Sequence, residues 1–250
     1  MRAFFFSLAL LAVLLGSACR STRIACPLIT AASRPAPAAA LDGADCPPPR
    51  ADYPWRNLVF EGGGVKGLTY GGALEVLGKQ GILDKIERVA GTSAGSITAV
   101  LVALKYTPAE IRTLLFNLDF KQFEDGGSTG IFRLFRRFGW FEGDALLDIL
   151  RCIVGEKTGK KKATFRELRA QGFLDLHVFS TDLSTGEVRD LSFDTTPDLE
   201  VALAARMSGS FPLFFAAIER DRDWFVDGGV VENYPVDTFD SKEGLNPETL

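Results

Sequence analysis

The chain has 250 residues, 46% of them apolar and 24% charged, with a net charge of −4. These fractions belong to a globular protein with a real core and exclude bulk disorder. A net negative charge argues against a nucleic-acid partner, which calls for a basic surplus on one face.

At the N-terminus Arg2 precedes the apolar run FFFSLALLAVLLG (4–16) and the small residues Ser17 and Ala18. A basic start, a short apolar stretch and a small-residue exit are the parts of a secretory signal peptide, read here as residues 1–18. The run falls short of the ~20 apolar residues that a membrane span needs. Cys19 follows directly and admits lipoprotein anchoring, although Gly16 stands where a larger aliphatic is usual. The expectation is an exported chain, whether periplasmic, envelope-associated or secreted. Residues 19–54 are rich in Ala, Pro and Ser and read as a linker, with the folded domain over 55–250. Cysteines at 19, 26, 46 and 152 are too few for a disulfide scaffold and lack metal-ligand spacing. A Cys26–Cys46 bridge and free or processed thiols are both open. Cys152, inside LLDILRCIV, reads as a buried small apolar side chain.

From Trp55 onward strands and helices alternate. NLVF (57–60) predicts a strand, 69–81 a helix, IERVAG (86–91) a second strand and 93–106 a strongly apolar helix. A helix over 108–119 opens on Pro108, favourable in a first turn. Helices follow at 143–159 and 163–172, then two strands within 175–192 around a turn at Ser184–Gly186. Residues 197–212 predict a helix broken before Pro212, and DWFVDGG (223–229) a last strand. This interleaving predicts an α/β fold with a largely parallel sheet, whose strand-end turns are where such folds place their chemistry.

Three motifs occupy such turns. EGGGVKG (61–67) brings bare backbone amides to a helix start, where negative charge is favoured. That suits a phosphate, or equally the oxyanion of an acyl transfer; a plain tight turn is the bland alternative. GTSAG (91–95) is a Gly-x-Ser-x-Gly pattern, but at ordinary glycine content such a pattern arises by accident in roughly one chain in ten. GGSTG (126–130) matches too. Context separates them: Ser93 lies between an apolar strand and an apolar helix, as a nucleophile elbow requires, whereas Ser128 reads as loop. A serine nucleophile needs a base. The single histidine, His177, sits within the apolar LHVF and reads as structural. Asp227, in DGG (227–229) at the end of an apolar strand, is the better candidate, although Asp-Gly-Gly in isolation is a common surface turn.

EGGGVKG, GTSAG and DGG, in that order and each after an apolar run, resemble the signatures of the patatin-like phospholipase family. The resemblance covers roughly 57–250. It implies a three-layer α/β/α fold around a mostly parallel sheet, and a Ser–Asp dyad without histidine. By motif, it implies Ser93 as nucleophile and Asp227 as proton acceptor. It also implies an oxyanion hole of amides from Gly62, Gly63, Gly64 and Val65, in a loop that runs on through Lys66 and Gly67. Gly91, Gly95, Gly228 and Gly229 complete the elbow and dyad motifs. Lys66 stands where arginine is frequent in the family, and Gly229 where alanine is. The implied substrate is a phospholipid or other acyl lipid, cleaved through an acyl-enzyme with transient membrane-surface contact and no cofactor or metal. Because an isolated aspartate is a weak base, a partly desolvated Asp227 is expected.

Two readings compete with the hydrolase: a phosphate- or nucleotide-binding protein using only loop 62–67, and a non-catalytic member of the same fold. Residues 120–141, rich in Phe with Arg133, Arg136 and Arg137, read either as a lid or membrane-touching surface or as a core helix with an exposed basic face. KTGKKKAT (157–164) fails the phosphate-loop spacing and reads as a solvated turn. SKEGLNPETL (241–250) has no closing helix, and family members commonly continue past such a segment; a fragment would leave part of the sheet edge uncovered.

Overall fold

A computed structural model of the chain describes residues 53–118, 120–125, 130–242 and 244–250. The expected signal peptide, nearly all of the linker, Cys19, Cys26, Cys46 and Ser128 lie outside the described residues. In chain order the elements are β1 (Asn57–Phe60), α1 (Tyr70–Lys79), β2 (Arg88–Thr92), α2 (Ala94–Ala103) and α3 (Pro108–Phe116). Next come α4 (Gly130–Arg137), β3 (Gly139–Phe141), α5 (Asp144–Thr158), α6 (Phe165–Ala170), β4 (Asp175–Asp182) and β5 (Glu187–Ser192). Last are α7 (Val201–Ser208), β6 (Leu213–Phe215), β7 (Ile218–Arg220) and β8 (Asp223–Asp227).

β1, β2 and β4 form a parallel core in the order β1-β2-β4; β5, β8 and β7 extend it by antiparallel pairing. Alternation along each strand separates two faces. Leu58, Phe60, Val89, Leu176 and Val178 point into the main core, against apolar side chains of α1 to α3 and α5 to α7. Val59, Ala90 and Phe179 point to the other face and meet Phe239. The fold is therefore three-layered α/β, with the segment around Phe239 crossing the second face. The terminal residues run beside β1: Val59 N–H donates to Leu250 O at 2.9 Å and Leu250 N–H to Asn57 O at 3.0 Å. The chain's last described residues thus pair the β1 edge.

Local chemistry sets the helix ends. α3 starts with Pro108 in its first turn and a reciprocal capping box between Thr107 and Glu110; α6 repeats the device with Thr164 and Glu167. α5 has Gly143 at its N-cap and borrows its cap from a distance. Asp125 accepts the Gly143 and Ala145 N–H groups at 2.7 and 2.8 Å. Cys152 is buried on α5 as expected, but its sulfur is in a disulfide bond and is not simply a small apolar filler. The helix expected over 197–212 is α7 alone; beyond it β6 and β7, which no periodicity announced, bring the chain back to the sheet.

Candidate active site

β2 ends at Thr92 and the chain turns at once into α2. At the turn Ser93 has φ 53° and ψ −124°, a conformation that costs a non-glycine residue ~1–2 kcal/mol. Its surroundings hold it there. Ser93 N–H donates to Ser208 Oγ at 2.8 Å, and Ser93 O accepts from Ser96 N at 2.9 Å and Ser96 Oγ at 2.6 Å. The helix beyond lies so close to β1 that any side chain on Gly95 would strike the carbonyls of Phe60 and Glu61. A sharp elbow leaves the hydroxyl at the positive end of the α2 dipole.

The partner comes from the far end of the chain, and sheet register explains why it arrives there. One edge of β4 is taken along residues 177–182 by β5. The other is shared: β2 runs parallel to it until Thr92 pairs with Phe179. β8 then takes over antiparallel, with Asp227 paired to Ser180. The C-terminal ends of β2 and β8 therefore meet head-on at consecutive positions of β4. Ser180 Oγ donates to Val226 O at 2.7 Å and Thr181 Oγ1 to Gly228 O at 3.2 Å, fixing the β8 end. Across the junction Ser93 Oγ donates to Asp227 Oδ2 at 2.5 Å. The second carboxylate oxygen, Oδ1, accepts Gly229 N–H at 2.8 Å, which orients the group.

The glycine loop packs beside this pair: a methyl on Gly62 would come within 3.1 Å of Ser93 Cβ. Gly64, at φ 54°, opens a 3-10 turn leading into α1. Not all six loop residues are available as anion donors. Gly62 N–H is given to Asn233 O at 3.0 Å and Lys66 N–H to Gly63 O at 3.1 Å. Gly67 is buried against Ala94, where its role is packing. The amides of Gly63, Gly64 and Val65 are without a partner among the described residues and remain as donors. Of the six loop residues, three thus keep amides for an anion.

Burial raises the Asp227 pKa above the ordinary carboxylate range, against the opposing pull of its bonds from Ser93 and Gly229. An ionised Asp227 is thereby a better proton acceptor, as the sequence led one to expect. His177 is not part of the pair. It pairs with Ala90 in the sheet, its Nδ1 lies 3.0 Å from Asp190 and its Nε2 3.6 Å from Asp175, and its ring stands edge-on to Phe239. Burial opposes its charge, but those two carboxylates prevail and raise its pKa to about 9.

Four further residues position the site without being legible in its motifs. Ser208 holds Ser93 N–H, and Ser210 O accepts Asp227 N–H at 3.0 Å, so the end of α7 touches both halves of the pair. Arg206, fully buried, ties that end down through Ser210 Oγ, Gly143 O, Glu142 O and Ala216 O. Desolvation lowers its pKa to about 10, still well above neutrality. Asn233 accepts Gly62 N–H through its backbone carbonyl, while its side-chain amide donates to Gly62 O at 3.1 Å and Glu61 Oε1 at 3.0 Å. A cavity of about 130 Å³ lined by Phe165, Leu168, Phe173 and Phe193 includes Asp175, which pairs with Arg88 at the opposite end of β2 from Ser93. It is remote from this chemistry.

A strained serine elbow, a strand-end aspartate and a free-amide glycine loop thus converge on one point. The family model for patatin-like phospholipases matches residues 58–240. The chain belongs to the patatin-like phospholipase family. It is similar to the protein YqhO of Bacillus subtilis (strain 168), 35% identical over 76% of this chain and 68% of that protein. A probable lipid hydrolase of Invertebrate iridescent virus 6 is 28% identical over 73% of this chain and 62% of its own length. The fold resembles that of VipD from Legionella pneumophila, with TM-score 0.60 and 20% identity over 78% of this chain and 49% of VipD. This patatin-like chain therefore spans between about three fifths and two thirds of the two sequence relatives' length.

Proposed function

We propose that the chain is a lipid acyl hydrolase that cleaves carboxylic esters of glycerolipids through a Ser93–Asp227 dyad. The observation that carries this reading is the 2.5 Å bond from Ser93 Oγ to Asp227 Oδ2, made by a serine held at positive φ. Family membership and the lipid hydrolase of the iridescent virus support it.

In the first stage Asp227 takes the Ser93 proton as Oγ attacks the ester carbonyl carbon. The amides of Gly63, Gly64 and Val65 receive the oxyanion; losing one such donor typically costs ~10²–10³ in rate. The carbon–oxygen bond to the glyceride breaks, and the proton passes from Asp227 to the leaving alkoxide. That leaves the acyl group on Ser93. In the second stage Asp227 deprotonates a water, which attacks the acyl carbonyl. Ser93 Oγ leaves and recovers the proton, and the fatty acid is released. Each stage returns Asp227 to its ionised form, and the second restores the Ser93 hydroxyl, so the cycle closes with one water consumed.

Fluorophosphonate labelling and hydrolysis of a lipid panel test the proposal, with Ser93→Ala as control. Loss of both labelling and turnover in the variant is expected; undiminished labelling would overturn the assignment. His177→Gln should turn over at nearly the parental rate, because its ring is committed to Asp190 and Asp175. Export belongs to the same proposal, on the strength of residues 1–18. N-terminal sequencing of fractionated protein checks it: a start after Ala18 or an acylated Cys19 is expected, and an intact Met1 start would count against cleavage.

A further inference from the structure

From the α4–β3–β6 unit we infer that this part of the chain is a docking surface for an anionic phospholipid bilayer, continuous with the mouth of the Ser93 site. The inference rests on the hydrolase reading only for its purpose; its physical basis is separate.

α4 is turned inside out. Arg133, which an ordinary surface helix would give to water, is 8% exposed and donates to Trp140 O and to Glu142 Oε1 at 2.7 Å. Phe132 and Phe135, one turn apart on the same face, are 73% and 80% exposed. Arg136 and Arg137 stay in solvent beside them. The core-helix reading of this stretch is thereby corrected: its aromatic side, not only its basic side, faces out. β3 follows, with Phe138 and Trp140 exposed, and pairs in parallel with β6. Leu213 at the start of β6 is 71% exposed, and Phe211 is 62% exposed. Both Phe138 and Leu213 have positive φ, at 61° and 70°, a strained arrangement for bulky residues. It persists because Leu213 N–H donates to Phe138 O and Ala217 N–H to Arg137 O.

Six large apolar side chains on one short unit exceed what a water-facing surface ordinarily shows. Continuity with the site is given by the chain itself. Phe211 directly follows Ser210, whose carbonyl holds Asp227, and exposed Val65 and Val230 adjoin the glycine loop and the Asp227 turn. Aromatic side chains suit the acyl–headgroup boundary, and the two free arginines complement anionic headgroups. Together they select a lipid surface over a protein groove, and a charged leaflet over a neutral one. An ester lifted from that leaflet would have only the adjoining rim to cross before reaching Ser93.

The test uses the full chain and vesicles of diether lipids, which contain no carboxylic ester and stay intact. Partition is measured on diether phosphatidylcholine alone and on an equimolar mixture with diether phosphatidylglycerol. Parent protein should prefer the anionic vesicles. Phe132→Ser with Phe135→Ser should weaken partition about tenfold or more. Arg136→Glu with Arg137→Glu should abolish the anionic preference, at roughly fivefold or more per charge. Both variants should hydrolyse a monomeric water-soluble ester within about twofold of the parent, since none of these residues touches the dyad. Amide hydrogen exchange gives a local readout independent of the N-terminal apolar run: vesicles should slow exchange over 130–141 and 211–215. Unchanged exchange there would overturn the proposal, as would a dimer of the parent that the Phe variant dissolves. A chain that binds vesicles as expected but hydrolyses no ester would refute the hydrolase and leave the docking surface standing. One that hydrolyses the monomeric ester but ignores vesicles would do the reverse.

Discussion

The junction of β2, β4 and β8 and the α4–β3–β6 unit are opposites in construction. At the junction polar groups are committed: buried Ser180, Ser208 and Asp227 and half-buried Ser93 each have a named partner. In the α4 unit the cation is inside and the aromatics are outside. Both regions carry positive-φ residues, so strain alone does not tell them apart. The difference is where each strain points. At the elbow it aims one hydroxyl at one carboxylate. In the α4 unit it turns apolar side chains toward solvent. A protein that turns over a water-insoluble ester needs both: a fixed reacting centre, and a surface whose favoured environment is not water.

Variants can break or sharpen that contrast. The largest effect is expected at the junction itself. Ser93→Ala should lower ester turnover by at least about 10³-fold, measured on the lipid panel, with folding intact. Ser93→Gly should be equally inactive but more stable by about 1 kcal/mol in chemical denaturation, because glycine tolerates φ 53°. A Gly variant no more stable than Ala would mean that the elbow stores no strain. Asn233→Ala frees the glycine loop from its side-chain clamp and should cost kcat about 10-fold to 100-fold, with a smaller change in KM.

Arg206→Ala comes next. It strips four oxygen acceptors, three of them in buried bonds, of their cation, and about 3–5 kcal/mol of stability should go with it. A loss below about 1 kcal/mol would show that the α7 terminus is held by packing alone.

Acidity separates the two titrating groups near the sheet. In the proposed mechanism Asp227 acts ionised; burial raises its pKa, so kcat/KM should climb with pH along a limb displaced above the ordinary aspartate value. Asp227→Asn should remove that limb together with turnover. His177 has the opposite signature in stability. Its folded pKa of about 9 lies above its ordinary 6.5, so its contribution is fully present below pH 6.5 and is lost as pH rises through about 9. The loss should amount to no more than about 3 kcal/mol, and His177→Gln should flatten the profile while sparing catalysis. The smallest effect belongs to the α4 face: Phe132→Ser should shift stability by under about 0.5 kcal/mol, because the ring has little burial to lose.

Much of the site was legible in the linear order of residues. A nucleophile elbow is local: strand, Gly-x-Ser-x-Gly and apolar helix are adjacent in the chain, so backbone chemistry alone points to Ser93. The strand-end position of Asp227 was equally local, and the scarcity of histidine pointed the search toward a carboxylate. The second match, at Ser128, shows that the pattern alone does not choose between serines. Helix starts were read well at Pro108, which marks its own first turn, and at Gly143, where only the capping carboxylate of Asp125, brought from afar, was not legible. Residues 130–141 resisted because their apolar side faces out, which inverts the rule that periodicity relies on.

By itself, then, the sequence determined the alternation of strands and helices and pointed to the candidate serine, aspartate and glycine loop, since each is written in neighbouring residues. Only the tertiary structure decided that β2 and β8 end against each other on one edge of β4, because that depends on register between strands 131 residues apart, from Thr92 to Asp223. It also decided that three loop amides rather than six remain for an anion. Donors are spent by partners such as Asn233, and no local pattern reveals who will claim them.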